Sequence, residues 1–321
     1  MSGVRAAPDT LFEAICCPVC GSNDSDVKLR SKYPPEIGAD EVKKMFRASS
    51  DHVLLDQVVR CRSCTMVYIN PRIRRDLILS GYSDAVDPVF AAQNDSRVAA
   101  FRRTLRGVVR RSGIEPRGKS VLDVGCAGGA FLVAAREVGF DPHGVEPSRW
   151  MAAFGRRTYD LDIRDGILEA GMFPEQSFDV VTLWDVIEHL PNPHETLTLI
   201  RGLLKPDGLL LVNYPDIASI AARALGSRWP FWLSVHLLYY TPATMSRQLE
   251  RAGFSPLWRQ AFWMTLPLGY VRERAAPYSK LLAPLPALAR FFRVDRLPLS
   301  YNMGQTLFVS KVDNGTRGKD R

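Results

Sequence analysis

Residues 121–132 carry the clearest chemical signal in the chain, because an apolar run ends there in a cluster of glycines. Gly125, Gly128 and Gly129 lack the Cβ atoms that would hold a ligand away from the backbone. The pattern predicts a strand, a tight turn and a helix whose first amides face a nucleotide-like ligand. Glu146 ends a second short strand, 21 residues after Gly125. Doubly wound folds place a ribose-binding carboxylate at this position.

Four of the six cysteines form two pairs with C-x2-C spacing: Cys17, Cys20, Cys61 and Cys64. Four thiolates complete a tetrahedral zinc site that has no open position for a substrate, so the predicted zinc is structural. Cys16 is an alternative to Cys17, but only Cys17 gives the two-residue spacing. The 40 residues between the pairs exceed the usual gap and include a helix-like segment at residues 40–46. The alternative is two unrelated turns with buried cysteines.

Two histidines are candidates for moving a proton near neutral pH, where imidazole titrates. His189 follows an apolar run at residues 178–184, which predicts a central parallel strand buried on both faces. His236 lies within the aromatic-rich residues 229–240, a composition that suits a ring-shaped substrate. We predict that His236 and His189 are the catalytic bases. A capping or core role is the alternative for His189, and core packing is the alternative for the aromatic residues.

The elements that would position these groups resemble the class I S-adenosylmethionine-dependent methyltransferases. The resemblance rests on V-L-D-V-G-C-x-x-G at residues 121–129, F-D-V-V at 178–181, E-H-L-x-x-P at 188–193 and K-P-D-G at 205–208. It covers residues 116–265 and lacks the third glycine of the dinucleotide fingerprint. It implies an α/β, Rossmann-like fold with a seven-stranded sheet, preceded here by a zinc-ribbon-like module.

The resemblance also implies S-adenosylmethionine as methyl donor. Asp123 and the glycines would surround its methionine part, and the loop at Gly166 and Ile167 would lie along the adenine, although this loop could also be an ordinary turn. The implied cofactor-binding residues are Asp123, Gly125, Cys126, Ala127, Gly128, Glu146, Gly166, Ile167, Trp184 and Asp185.

The zinc module placed ahead of the domain resembles the sugar C-methyltransferases in particular. Those enzymes carry Y-H-E-H where this chain has Leu-Ser-Val-His at 233–236, so only His236 is retained. We therefore favour O-methylation over C-methylation, with a sugar nucleotide or lipid-linked glycan of the cell envelope as the small-molecule acceptor. An RNA methyltransferase is one alternative. A non-catalytic binding protein with the same fold is another, and the intact Asp123, Gly125 and Glu146 argue against it.

The positive charge is local. The formal net charge is +8, and residues 97–111 hold six arginines and no acid, so the rest of the chain sums to only +2. Apolar residues at helical spacing predict an amphipathic helix over residues 96–111. Its arginines could bind nucleic acid, which we do not favour, or simply form a solvated helix face.

Composition predicts a globular protein, with 46% hydrophobic and 24% charged residues in 321. The start of the sequence lacks a secretory signal and no apolar run approaches 18 residues, so we expect a cytoplasmic protein. In that reducing environment paired cysteines favour metal over disulfides.

The predicted organisation is a zinc module at 1–75, a linker and basic helix at 76–115, and a methyltransferase domain at 116–321. The last strands are expected at 257–265 and 304–312. An insertion at 266–300 contains an apolar and basic run at 280–293, predicted to be a lid or oligomer contact first and a peripheral membrane contact second. The sequence does not predict the oligomeric state, and the tail from 313 onward is expected to be disordered.

Overall fold

The computed structural model describes residues 11–33, 54–83, 86–275 and 294–313. Its strands, in chain order, are β1 (Phe12–Glu13), β2 (Ser25–Leu29), β3 (Val58–Cys61), β4 (Val67–Ile69), β5 (Arg72–Ile73), β6 (Ser120–Val124), β7 (Asp141–Glu146), β8 (Asp162–Asp165), β9 (Phe178–Trp184), β10 (Leu204–Pro215), β11 (Leu238–Tyr239), β12 (Phe254–Ala261), β13 (Met264–Pro267), β14 (Pro298–Tyr301) and β15 (Gln305–Val312). Its helices are α1 (Arg75–Ser83), α2 (Pro88–Ala91), α3 (Asn94–Ser112), α4 (Ala130–Val138), α5 (Arg149–Tyr159), α6 (Pro193–Leu203), α7 (Ile220–Leu225), α8 (Pro242–Arg251) and α9 (Leu268–Ala275).

The central sheet has seven strands in the order β12-β15-β10-β9-β6-β7-β8. Strands β6 to β10 of this sheet pair in parallel, whereas β15 pairs antiparallel with both β10 and β12. This confirms the predicted Rossmann-like fold. Parallel strands bring their carboxyl ends to one edge of the sheet, which is where ligands bind in such folds.

Strand β9 shows why the middle of the sheet is so apolar. All seven of its residues are buried. Val181 and Leu183 belong to one hydrophobic cluster, while Val180 and Trp184 belong to the cluster on the other face, as the two-residue period of a strand requires. Buried on both faces, β9 holds its carboxyl end in a fixed position beside the turn after β6.

Helix α3 confirms the amphipathic helix predicted over residues 96–111. Val98, Phe101, Leu105 and Val108 are buried, and the helix ends at Gly113, which adopts the left-handed conformation common after a helix. The helix packs on α4, so its first turn lies beside the glycine-rich turn that precedes α4.

A second sheet has four strands in the order β11-β4-β3-β2. Three of these strands are N-terminal, whereas β11 follows β10 of the central sheet in the sequence. Its neighbour Leu237 also accepts a hydrogen bond from the Ile69 amide, at 2.9 Å. Cys17, Val59 and Tyr68 lie in the same hydrophobic cluster as the central-sheet residues. The N-terminal module and the central domain therefore share a core.

The limits predicted for the strand at residues 257–265 are wrong. β12 begins earlier, at Phe254, and ends at Ala261, after which β13 pairs with β14 in a separate two-stranded sheet. Between these two strands Phe262 is buried in the core and Trp263 is 52% exposed. The strand predicted at 304–312 is confirmed as β15.

Three predicted features lie outside the described residues: the helix-like segment at 40–46, the apolar and basic run at 280–293, and the tail beyond residue 313. Within the described ranges, no helix is both long enough and apolar enough to cross a membrane.

Candidate active site

The turn between β6 and α4 is tightly packed and depends on glycine. Gly125 and Gly129 have φ values of +77° and +80°, in the left-handed region that favours glycine. A Cβ atom on Gly125 would lie 2.6 Å from Cγ2 of Val186, in the loop after β9. The amides of Gly125 and Cys126 donate to the carbonyl of Val145, at 2.8 and 3.1 Å, which ties the turn to β7. The predicted strand, turn and helix are all present.

Two buried carboxyl groups flank this turn. Asp123 in β6 is 2% exposed and accepts a 2.6 Å hydrogen bond from Oγ1 of Thr182. Glu146 at the end of β7 is 4% exposed and accepts from the amides of Ala127, at 2.7 Å, and Ser148, at 2.8 Å. Burial raises the pKa of Asp123 to about 8 and that of Glu146 to about 7.

Neither carboxyl group pairs with lysine or arginine within the part of the chain that the structure describes. A buried carboxylate needs a positive partner or hydrogen-bond donors to remain charged. The pair therefore fits a ligand that brings a cationic end and hydroxyl donors, as S-adenosylmethionine does with its amino and sulfonium groups and its ribose.

The loop after β8 lies next to Glu146, because the amide of Gly166 donates to the Glu146 carbonyl at 2.9 Å. Gly166 has φ +114°, and a Cβ atom there would meet nothing within 4 Å, so space is open at this point. Ile167 is half-buried beside it. The loop therefore lies beside the buried carboxyl group of Glu146.

The end of β9 brings Trp184 and Asp185 to the same edge of the sheet. Asp185 accepts hydrogen bonds from Nδ2 of Asn213, at 2.7 Å, and from Nε2 of Gln305, at 2.7 and 2.8 Å. The Trp184 ring packs within a buried aromatic cluster, with ring centroids at 4.9 Å from Phe101 and 5.3 Å from Phe131. The position of Asp185 therefore suits a ligand contact better than that of the Trp184 ring.

The side chain of Cys126 faces away from the turn. Its Sγ would be 2.7 Å from a Cβ atom on Gly144 of β7, so sulfur fills the space that this glycine leaves. Only the backbone of Cys126 is available to a ligand at the turn.

Gly128 is held in place by helix α3, because Nδ2 of the buried Asn94 donates to its carbonyl at 3.0 Å. Sequence patterns missed this contact with the turn, because Asn94 lies 34 residues before Gly128.

The four cysteines predicted to bind metal lie together, with their sulfur atoms all within 4.8 Å of one another. Cys17 and Cys64 are 3.4 Å apart, and Cys20 and Cys61 are 3.5 Å apart. Tetrahedral zinc, with bonds of about 2.3 Å, separates sulfur atoms by about 3.8 Å. The cluster thus fits zinc after a small expansion, and the exposed Cys16 is not part of it.

His189 and His236, far apart in sequence, form an edge-to-face pair with ring centroids 4.7 Å apart. His236 is 5% exposed, and its Nδ1 lies 2.9 Å from the carbonyl oxygen of Phe231. Glu188 is 1% exposed and completes the group, with Oε1 3.9 Å from Nε2 of His189. The sequence predicts that Glu188, directly before His189 at the end of a buried strand, lies in the region suited to chemistry, but it does not predict a specific role for this residue.

The aromatic residues at 229–240 are largely core. Trp229, Tyr239 and Tyr240 are at most 2% exposed. The indole of Trp229 donates to the carbonyl of Met303 at 2.7 Å, and the Tyr239 hydroxyl donates to that of Leu233 at 2.9 Å. Core packing, the alternative reading of this segment, accounts for these three residues, and they do not form an open platform for a ring-shaped substrate.

A seven-stranded sheet with an antiparallel seventh strand, and a glycine turn beside two buried carboxylates, define the class I methyltransferase fold. A family model described as a methyltransferase domain matches residues 95–257, from the start of α3 into β12. The chain belongs to this family of S-adenosylmethionine-dependent methyltransferases.

Two curated relatives are ubiquinone biosynthesis O-methyltransferases. The one from Cereibacter sphaeroides is 30% identical over 157 residues, which are 44% of this chain and 63% of the relative. The one from Glaesserella parasuis is 28% identical over 106 residues, 30% of this chain and 45% of the relative. The chain thus spans less than two thirds of the length of either relative.

One similar solved structure is a chain of the complex between the Haloferax volcanii Trm112 methyltransferase activator and the putative methyltransferase. It is 18% identical, with a TM-score of 0.50, and the match covers 72% of this chain and 97% of that chain. At this identity the similarity concerns the fold alone.

Proposed function

We propose that this protein transfers a methyl group from S-adenosylmethionine to a hydroxyl oxygen of a small-molecule acceptor. The observation that carries the proposal is the pair of buried carboxyl groups of Asp123 and Glu146, without a cation beside them in the described residues, on either side of the turn at Gly125. S-Adenosylmethionine supplies an electrophilic methyl carbon, whose bond to sulfur breaks as the acceptor oxygen binds that carbon.

Each part of the site has its own task. Asp123, Gly125, Cys126, Ala127 and Gly128 would surround the amino acid end of the cofactor, with the backbone of the turn and one carboxylate. Glu146 would accept hydrogen bonds from the ribose hydroxyls, and Gly166 and Ile167 would border the adenine. Asp185, fixed by hydrogen bonds from Asn213 and Gln305, would lie toward the methyl end. The protein thereby aligns donor and acceptor, which is the main contribution to such a displacement.

The acceptor proton needs somewhere to go as the new bond forms. His189 and His236 lie just beyond β9, where the carboxyl ends of the strands face the ligand. They are the histidines predicted from sequence as bases, and they would receive the proton directly or lie beside the group that does.

An oxygen acceptor is favoured because the curated relatives are named O-methyltransferases. The proposal of a sugar nucleotide or lipid-linked glycan as acceptor now depends on the resemblance in the zinc module alone. The aromatic segment, which also favoured such an acceptor, is largely buried in the core. An RNA acceptor is less favoured, because arginines of α3 already have partners within the protein. Arg102 pairs with Glu137 at 2.7 Å, Arg103 bonds the Trp263 carbonyl, and Arg111 lies over the ring of Trp258.

The proposed acceptor class is tested by the formation of S-adenosylhomocysteine with three sets of compounds: catechols and other phenols, nucleotide sugars, and total RNA. We expect turnover with a hydroxylated small molecule and none with RNA. Turnover with RNA alone would contradict the proposal. The variant Asp123→Asn, which removes one carboxylate at the donor site, is the control that should suppress turnover with every acceptor.

Cofactor binding should depend on pH, because burial raises the pKa of Glu146 to about 7 and that of Asp123 to about 8. Because each pKa is raised in the folded state, protonation of these two carboxyl groups stabilises the unliganded fold. This contribution is fully present below the pKa values of the unfolded chain and has been lost once the pH has risen through the folded-state values of about 7 and 8. Hydroxyl donors and a cation favour the charged carboxylates, so binding lowers both pKa values and releases protons. The affinity should rise by up to about tenfold per pH unit for each proton released between pH 6 and 8.

Calorimetry at pH 6.5 in two buffers with different ionisation enthalpies measures this proton release. The observed binding heat should differ between the buffers, and the difference should shrink in Glu146→Gln. Equal heats in both buffers, together with an affinity that does not change with pH, would contradict the assignment of the two carboxyl groups to the cofactor.

A further inference from the structure

Glu188 carries a buried carboxyl group beside the two histidines, and the contacts within the described residues do not account for it. The residue is 1% exposed, and neither carboxyl oxygen has a hydrogen-bond partner within the described part of the chain. The imidazole of His189 lies beside it, with Nε2 3.9 Å from Oε1, beyond hydrogen-bond distance. A buried carboxyl group without partners costs free energy, so it usually has a ligand or a function.

The two histidines beside Glu188 are oriented as metal ligands commonly are. Nδ1 of His236 lies 2.9 Å from the Phe231 carbonyl, which fixes the proton on that nitrogen and directs Nε2 away from it. The imidazole of His189 also hydrogen-bonds the backbone of Val235, and its Nε2 lies 3.9 Å from Oε1 of Glu188. A backbone carbonyl on one ring nitrogen is the arrangement that orients the other nitrogen toward a metal.

The three side chains converge closely enough for one ion. One ligand atom from each of Glu188, His189 and His236 lies within 4.8 Å of the others. Metal–ligand distances of about 2.0–2.2 Å place such atoms about 3–4 Å apart, so a small contraction completes the site. His189 keeps 16% of its side chain exposed, whereas Glu188 and His236 are deeper, so the entry path is on the His189 side.

We propose that Glu188, His189 and His236 bind a divalent transition-metal ion. This site is separate from the four-cysteine cluster and has different ligand chemistry. Two imidazoles and one carboxylate suit zinc, cobalt or iron(II), and three protein ligands leave at least one position open. By contrast, the four thiolates leave none. The metal binding itself is argued from the geometry of these residues and does not depend on the proposed function.

The role of the ion, unlike its binding, rests on the proposed function. The open position can take the hydroxyl oxygen of the acceptor, and a bound divalent ion lowers the pKa of such an oxygen. The hydroxyl proton then leaves to solvent before the oxygen forms its bond to the methyl carbon. In this arrangement the two histidines hold the ion and are not free bases.

The experiment uses the full-length protein isolated with zinc, because the four-cysteine cluster should then be occupied. Added Co²⁺ is the probe, and bound metal is counted after gel filtration while the visible absorption of cobalt is recorded. We expect about one further equivalent of Co²⁺ with ligand-field bands, and without the thiolate charge-transfer bands that cobalt shows in cysteine sites. Glu188→Gln and His236→Gln should each weaken this binding by about 10-fold to 100-fold or more.

His143→Gln is the matched control, because His143 pairs with Asp141 and Asp162 away from the cluster. It should bind cobalt as the unchanged protein does. Circular dichroism and zinc content establish that each variant folds; should His236→Gln fail to fold, the near-isosteric Glu188→Gln decides. Absence of a second equivalent, or cobalt binding that Glu188→Gln leaves intact, overturns the proposal.

A parallel titration with S-adenosylmethionine separates this proposal from the proposed function. If the protein binds the cofactor but no second metal, the proposed metal site is overturned and the proposed function stands. If it binds a second metal but no cofactor, the proposed function is overturned and the metal site stands. Turnover that is lost in His236→Gln but unaffected by chelation of the second metal identifies the histidines as proton acceptors and overturns the catalytic role of the ion, whereas the cobalt titration alone decides its binding.

Discussion

Gly125→Ala should weaken S-adenosylmethionine binding by at least about 100-fold, which corresponds to about 2.7 kcal/mol. At φ +77° an alanine is strained, and its Cβ would lie 2.6 Å from Cγ2 of Val186. To relieve this contact, the turn must move away from the loop after β9. The turn's hydrogen bonds to Val145 are then disturbed, and Asp123, Glu146 and the first turn of α4 lose their alignment with the ligand. Calorimetric titration of the variant measures the effect.

Gly171→Ala is the matched control for backbone strain. Gly171 has a nearly identical φ of +78°, but a Cβ atom there would meet nothing within 4 Å. Both variants should lose comparable stability from the strained φ, and only Gly125→Ala should also lose the cofactor. If the two variants bind S-adenosylmethionine equally well, the glycine turn is not the donor site.

Cys61→Ser should remove the zinc and destabilise the central domain as well as the N-terminal module. Three remaining thiolates hold zinc poorly, and Cys61 lies in the same hydrophobic cluster as Leu210 and Val212 of the central sheet. The melting temperature should fall by about 10 °C or more, since each kcal/mol lost lowers it by about 2–4 °C in a domain of this size. Metal analysis and calorimetric melting measure both effects.

Cys16→Ser is the control for Cys61→Ser, because Cys16 is exposed and lies outside the sulfur cluster. It should keep one zinc and an unchanged melting temperature. The proposed zinc site is contradicted if Cys61→Ser retains the metal, or if both variants lose it equally.

Local patterns were sufficient to predict the strand, turn and helix that contain the candidate donor-site residues. The glycine cluster at 125, 128 and 129 favours a tight turn, and the short apolar run at 178–184 between polar turns is typical of a strand buried on both faces. The period of the apolar residues in α3 likewise fixed which side of the helix faces the core. In each case the structure follows from residues that are close together in sequence.

The acceptor side could not be predicted in the same way, because it is built from distant segments. The pairing of β11 with β4 joins residues 238–239 to the N-terminal sheet, and that pairing buries Tyr239. Sequence composition alone does not distinguish such a buried aromatic residue from one that contacts a substrate. The contact between His189 and His236 depends on the same long-range packing.

The central claim is that the turn at Gly125, with Asp123 and Glu146 beside it, binds S-adenosylmethionine. Its most direct test is a calorimetric titration of the zinc-containing protein with S-adenosylmethionine and then with S-adenosylhomocysteine. We expect one binding site per chain with micromolar affinity for both, and its loss in Gly125→Ala but not in Gly171→Ala. No binding of either compound at millimolar concentration would contradict the account.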